Sequence, residues 1–369
     1  MPRDPTIAYV LLRNSSFGPK GAGSVELCVR DLSRMSRYAG STFVVCPEVE
    51  EPFAGVRIET VPSVFAGGNL AKAWAVGRLL RKRAVDAAIV ANHLPAAAVI
   101  AAASGAQTIL HSHAYEKAPS GPLKRLIRDA EIGRLAGLAF VSEDCAERFR
   151  ANFPNARAPI VAVPNGLDMA GWSASGPKAN TILSVGRALD DKGHIEAVGA
   201  IARLLPARPG WTARFILSAV DREPATVAAL RSAAAAAEGR IAVDANLPYE
   251  TVKAAWENAA VGLVLTKTPE PFGRTALEAL ASGTALLTSG LGGLKEICGD
   301  AALTVDPADA EGLQAALAAL LDSPDLRAKL ARAGRARVET LFDIRAVAAR
   351  MDDFIDAVSR ASRAPRSPA

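Results

Sequence analysis

Two glutamates flank a Pro-Phe-Gly in the stretch TKTPEPFGRTALEALASG, Thr266 to Gly283: Glu270 just before it and Glu278 eight residues after Glu270. The apolar run VGLVL reads as a buried strand ending near Leu265, a loop covers Thr266 to about Arg274, and a helix follows, stopped by Gly283. Unsatisfied amides near Gly273, Arg274 and Thr275 would point out of that helix start, where the helix dipole favours an anion. Gly273 lacks a Cβ, so a phosphate could approach the backbone closely. Glu270 lies between two prolines and has no helix to cap. Glu278 has two readings: a carboxylate that holds a ligand, or the distal half of a capping box whose N-cap is Thr275.

A second cationic element is NTILSVGRALDDKGHIEAV, in which a strand ends at Val185, Gly186 turns the chain, and Arg187 and Lys192 follow. One guanidinium for geometry and one ammonium for charge suit a diphosphate leaving group, although both could be ordinary surface charges beside a turn. Asp190 and Asp191 stand next to them, but the chain has no Asp-x-Asp, and a metal there is the weaker reading. In the first half, GAGSVE opens a helix near Ser24 after a glycine-rich loop, a modest signal for an anion-facing helix start. Gly18, Gly21 and Gly23 do not follow the first strand with dinucleotide-binding spacing, which ranks a nicotinamide dehydrogenase last. His111 and His113 end another strand, in TILHSHAYE; with four histidines in the chain, this pair is a candidate site. His93 and His194 receive no role.

These residues need a frame. TIAYVLL, TFVVC, DAAIVAN, QTILHS, LAFVS and PIVAVPNG read as strands in the first half, and NTILSVG, ARFILSA, RIAVDA, VGLVL, GTALLTS and ALTVD in the second. Short, nearly continuous apolar runs separated by amphipathic helices indicate parallel strands covered on both faces. Ser142, Asp306-Pro307 and Ser323-Pro324 mark helix starts. The 369 residues exceed what one core usually serves, and SASGPKANT breaks the pattern, so two doubly wound α/β domains are expected. Their expected bounds are 1–172 and 182–343, with a linker at 173–181, a final helix at 344–358 and a disordered tail at 359–369.

Four scattered cysteines without metal-binding spacing favour a reducing compartment. Ile7 to Leu12 is too short for a signal-peptide core, and no apolar run is long enough to span a bilayer, so a cytoplasmic protein is expected. Residues 1–180 carry 21 Lys and Arg against 15 Asp and Glu, a net +6, whereas the remainder is −1. The excess concentrates in Lys72–Arg83 and Lys117–Arg134, read either as solvated helix faces or as a surface for anionic lipid or a phosphorylated acceptor. Aromatic residues are not interleaved with these charges, which disfavours nucleic acid as a partner.

Together the motifs resemble the GT-B glycosyltransferases, specifically the retaining, nucleotide-sugar-dependent family with an E-x7-E motif (glycosyltransferase family 4, glycosyl transferases group 1). EPFGRTALEALASG resembles its EPFG…EAMA.G, and LSVGRALDDKG its VGR…KG stretch. GAGSVELCVRDLS resembles its first helix entry, with Ser24 where a second glycine is usual. VPNGLD resembles its NGVD, and GLGGLKEI its GG.PE, with Lys295 in place of proline. The resemblance implies two Rossmann-like domains facing a central cleft, with the C-terminal helix crossing back to the N-terminal, acceptor-binding domain. It implies that Glu270 holds donor-sugar hydroxyls, that Glu278 binds the ribose, and that Arg187, Lys192, Gly186 and the backbone of Phe272, Gly273, Arg274 and Thr275 bind the diphosphate. His111 fits the family histidine near the donor sugar, with His113 as the alternative in HSH, and Gly23 and Ser24 would approach the diphosphate. It implies retention of configuration without cofactor or metal. The acceptor would be a saccharide or glycolipid hydroxyl in polysaccharide or lipopolysaccharide synthesis, and peripheral contact with an anionic membrane is a further expectation. A sugar-nucleotide epimerase, a phosphorylase of the same architecture and a non-catalytic sugar-nucleotide-binding protein are the alternatives.

Overall fold

The computed structural model describes residues 4–12, 16–20, 22–61, 68–174 and 176–363. Its chain forms two compact units: residues up to Gly166 together with those from Ile344 onward, and Leu167–Asp343. The stretch 173–181 belongs to the second of these. Its Lys178 ammonium donates to the carbonyls of Glu257 and Ser282, both at 2.6 Å, and its last residues already form strand.

In the first unit the elements run β1 (Ile7–Val10), α1 (Ser24–Met35), β2 (Thr42–Cys46), β3 (Ile58–Thr60), α2 (Asn69–Lys82) and β4 (Ala87–Ala91). They continue as α3 (Leu94–Ser104), β5 (Gln107–Ser112), α4 (Pro122–Ile132), β6 (Gly137–Phe140), α5 (Glu143–Asn152) and β7 (Ile160–Ala162). The second unit begins with β8 (Ala179–Arg187), α6 (His194–Leu204), β9 (Thr212–Ser218), α7 (Pro224–Ala235), β10 (Ile241–Ala245), α8 (Tyr249–Asn258) and β11 (Ala259–Val264). It ends with α9 (Arg274–Ala281), β12 (Ala285–Thr288), α10 (Gly293–Cys298), β13 (Leu303–Thr304), α11 (Ala310–Asp322) and α12 (Pro324–Leu341), before α13 (Ile344–Arg363).

Both sheets are parallel throughout, ordered β3-β2-β1-β4-β5-β6-β7 and β10-β9-β8-β11-β12-β13. Each reverses its strand order once, between β1 and β4 or between β8 and β11, and the loops leaving those strands open side by side. Near-continuous apolar strands follow from having helices on both faces: every residue of β1, β2, β6 and β12 is buried. The three-residue β3, half-buried at the sheet edge, was not anticipated from the sequence because no continuous apolar run marks it.

Helix starts follow side-chain chemistry. Ser142 Oγ accepts from the Cys145 amide at 3.1 Å and Ser323 Oγ from the Leu326 amide at 3.2 Å, with Pro324 in the first turn. Asp306 does not cap α11: its carboxylate closes a turn on Ala308, and Asp309 caps the helix three residues later. Helix α13 packs on α1 and buries Val347, Met351, Phe354, Ile355 and Val358, a stripe at helical spacing, with Phe354 and Val358 against Gly137 of β6. Each such side chain contributes roughly 1.5–3 kcal/mol of burial before chain entropy is counted. The Asp352 carboxylate is buried beneath it, accepting from Ser36 Oγ at 2.7 Å and the Arg37 amide at 2.8 Å. Contrary to the expected tail, helix continues beyond residue 358 to Arg363, because Arg and Ala in that stretch favour helix; residues 364–369 lie outside those described.

Candidate active site

In the second unit the functional residues collect where the strand order reverses. β8 delivers Gly186 and Arg187, and a single 3₁₀ turn over Asp190–Lys192 leads through Gly193 into α6. Gly193 has φ +69°, and a Cβ there would run into the Leu265 carbonyl, so the turn requires glycine. Beside it, β11 ends in the loop that carries Glu270. The two loops are tied together: the Asp191 carbonyl accepts from the Lys267 amide at 2.7 Å and from Thr266 Oγ1 at 3.0 Å, and Lys267 Nζ bridges Asp190 (2.7 Å) and Glu196 (3.0 Å). Asp190 is thus already answered by a cation. Among the described residues, neither Asp190 nor Asp191 belongs to a cluster of three metal-ligating side chains.

That tie brings Lys192 Nζ onto Glu270 Oε1 as an ion pair, both side chains largely buried. The Glu270 backbone is fixed separately. Its amide donates to the Leu291 carbonyl at 3.3 Å and its carbonyl accepts from Gly293 at 2.8 Å, a short parallel bridge. A Cβ at Gly293 would lie 2.6 Å from the Pro271 carbonyl oxygen, so the glycines of GLGGLKEI are what admit the Glu270 loop. The sequence singled out this motif without giving it that work.

Gly273 caps α9 with φ +109°, and a side chain there would strike Leu294. No acceptor among the described residues takes the amides of Gly273 and Thr275, the donors expected at this helix start. Phe272 is buried, its ring meeting Phe342 edge-on at 6.0 Å, so only its backbone faces the loop. The capping box is not formed. With Gly273 as the cap, Glu278 sits a full turn inside the helix, buried, where Oε1 accepts from Arg274 Nε and from Tyr249 Oη, both at 3.0 Å. Burial raises its carboxyl above the usual range while Arg274 and Tyr249 pull it back. Tyr249 is the residue that sequence reasoning missed; it lies on α8, 29 positions away, and no local pattern marks it.

Arg187 is exposed, and no side chain among the described residues pairs with its guanidinium. Gly186 faces the His194 ring, which a Cβ would approach to 3.1 Å, so this glycine seats an imidazole. His194 is buried with both nitrogens engaged, Nδ1 on Ser184 Oγ (3.0 Å) and Nε2 on the Arg187 carbonyl (3.1 Å), and burial lowers its pKa to about 4. His93 likewise acts in structure, capping α3 by accepting from the Ala96 amide at 3.1 Å.

Three predicted residues lie in the first unit. Gly23 and Ser24 are exposed at the start of α1, where the Gly23 amide donates to the Glu26 carboxylate at 3.0 Å; Gly21 lies outside the described residues. His111 is 1% exposed at the end of β5, its Nε2 on the Val163 carbonyl at 3.2 Å, and burial lowers it to about 4. The His113 ring lies 4.3 Å from that of His111.

Comparison with known proteins agrees with this architecture. Residues 25–170 match the family described as Glycosyltransferase Family 4, and residues 173–337 match Glycosyl transferases group 1. A glycogen synthase of Mycobacterium tuberculosis (strain ATCC 25618 / H37Rv) is 28% identical over 97% of this chain and 96% of its own length. Among solved structures, sucrose-phosphate synthase from Thermosynechococcus elongatus superimposes with a TM-score of 0.77 at 20% identity, covering 97% of this chain and all of that one. Anabaena HepE in complex with UDP and glucose gives 0.71 at 17% identity, covering 95% of this chain and 99% of that one. At such identities the structural likeness speaks for the fold alone. With two family matches that together span most of its length, and two parallel-sheet α/β units to match, the chain belongs to the GT-B glycosyltransferases of family 4, group 1.

Proposed function

We infer that this glycosyltransferase moves a sugar from a nucleoside-diphosphate sugar to an acceptor hydroxyl with retention of configuration and without a metal at the diphosphate. The observation that carries the reading is the clustering at the β8/β11 reversal. Two carboxylates of different surroundings, Glu270 on Lys192 and Glu278 on Arg274 and Tyr249, flank a glycine-capped helix start. Transfer develops positive charge at the anomeric carbon and negative charge on the departing diphosphate. Arg187, Lys192 and the first amides of α9 supply the countercharge without a metal ion. Glu270 positions donor hydroxyls and shares Lys192 with the leaving group. Glu278 has Oε1 committed within the protein, and Oε2 is the oxygen assigned to a ribose hydroxyl. His111 keeps the role near the donor sugar that the family resemblance implies. The sequence offers no convincing enzymic nucleophile, so the acceptor hydroxyl is taken to attack on the face the leaving group vacates.

The acceptor reading is a saccharide or glycolipid precursor, with an anionic membrane as the surface met by the first unit. Supporting it, α4 exposes Leu123, Leu126 and Ile127 at helical spacing beside Lys124, Arg125 and Arg128, and α2 exposes Trp74 near Arg78. Among the described residues no helix is long and apolar enough to cross a membrane.

The test is a thermal-shift panel of UDP, GDP, ADP and their sugar conjugates, with and without chelator, followed by product stereochemistry with the stabilising donor. Selective stabilisation by one nucleoside diphosphate, unchanged by chelator, is the expected result, since a ligand of the folded state raises stability by mass action. Stabilisation that requires a divalent cation would overturn the metal-free reading, and an inverted product would overturn retention.

A further inference from the structure

Within the first unit, α1 and the end of β5 place a thiol against two imidazoles. Cys28 Sγ and one ring nitrogen from each of His111 and His113 all lie within 4.8 Å of one another. Cys28 forms no disulfide and is fully buried, as is His111. The His111 ring is oriented as a ligand would be. Nε2 meets the Val163 carbonyl at 3.2 Å, which makes it the protonated nitrogen, and this leaves Nδ1 with its lone pair, buried and with no hydrogen-bond partner. Both ring nitrogens of His113 are buried without a partner of ordinary geometry, and so is Oδ1 of the neighbouring Asn165. Polar atoms buried without partners are costly, so several at one place indicate something that would satisfy them. One thiolate with two neutral imidazoles is a donor set suited to a borderline-soft divalent cation, with a fourth position left for water or another ligand. His113 retains some exposure, which gives such an ion a way in.

We propose that Cys28, His111 and His113 form a binding site for a zinc-class divalent cation in the first unit. Binding draws the three donors together from their present spacing toward the ~2.0–2.3 Å bonds of such an ion and releases the Cys28 thiol proton to solvent. The site shares His111 with the transfer reading but uses none of Arg187, Lys192, Glu270 and Glu278, which all lie in the second unit, and its metal-binding test is read independently of transfer.

The experiment is titration of the chelator-treated full chain with Co²⁺, read by absorption, followed by Zn²⁺ competition. One equivalent of Co²⁺ is expected to produce a thiolate-to-cobalt charge-transfer band together with the visible bands of four-coordinate cobalt, and one equivalent of Zn²⁺ should abolish both. Cys28→Ser should lose the charge-transfer band, and His113→Gln should weaken Co²⁺ binding at least about tenfold, each with unchanged metal-free melting. A band that survives Cys28→Ser assigns the ion to Cys46, Cys145 or Cys298 and overturns the proposal, as does the absence of any band in the parent chain. Should Cys28→Ser not fold, His113→Gln, at a partly exposed position, decides alone: unchanged Co²⁺ affinity refutes the site.

Discussion

His194 and His111 are equally buried, and they differ in what meets them. His194, in the second unit, has Ser184 on one nitrogen and a carbonyl on the other, and it serves to hold the turn that presents Arg187 and Lys192. His111, in the first unit, has a carbonyl on one nitrogen and no partner on the other, and neither nitrogen of His113 beside it has a partner of ordinary geometry. The same contrast separates the two sites. The carboxylates of the second unit already carry protein cations, so a ligand arrives at a preorganised array, whereas the imidazoles of the first unit are set in place with a partner still to be supplied.

The strongest way to break this comparison is at the preorganised end. Lys192→Ala should lower transfer by about 10²–10³-fold, the range for removing one donor aimed at developing charge, with the fold retained. If turnover measured with saturating donor is unchanged, the Lys192–Glu270 pair is a loop tether and nothing more. Next comes the satisfied histidine. With its folded pKa at about 4, below the ordinary 6.5, His194 contributes stability that is complete above pH 6.5 and is lost as pH falls toward 4. The span corresponds to about 3 kcal/mol. Chemical denaturation of His194→Gln across that interval should show a correspondingly flatter pH dependence; an identical slope would refute the assignment. Glu278→Gln should weaken binding of the preferred nucleoside diphosphate by about 10–100-fold, the equivalent of a charge-assisted hydrogen bond, as read by calorimetry. Loss of melting temperature at constant affinity would instead mark Glu278 as a purely structural partner of Arg274 and Tyr249. The smallest effects are expected from the capping serines, one in each unit: Ser142→Ala and Ser323→Ala should each cost about 1 kcal/mol without touching nucleotide affinity.

The strands were legible because parallel sheets covered on both faces require unbroken apolar runs, and β3 was not, because an edge strand half in water carries no such run. The loop before α9 was legible for a similar reason: a glycine wedged against Leu294 and a carboxylate between prolines are choices that local physics alone does not make. The capping box failed at Glu278 because Gly273, with φ +109°, starts the helix two residues before Thr275, and because the carboxylate is claimed by Tyr249 from a different helix. The meeting of Cys28 with His111 was out of reach for the same reason. The two are 83 positions apart in the sequence, and only the pairing of strands and the packing of α1 on the sheet bring them together.

One consequence belongs to how the protein is made. The first unit is discontinuous in sequence: it pauses at Gly166 and resumes at Ile344, after the entire second unit. On the ribosome its sheet can form early, but the groove of the first unit that buries Met351 and Ile355, and the Ser36 hydroxyl that binds Asp352, must wait until the residues from Ile344 onward emerge. A nascent chain stopped at Asp343 would hold both sheets while leaving that greasy groove open to water, a natural point for chaperone capture. Synthesis of α13 therefore acts as a quality check, because that helix is the piece that closes the first unit.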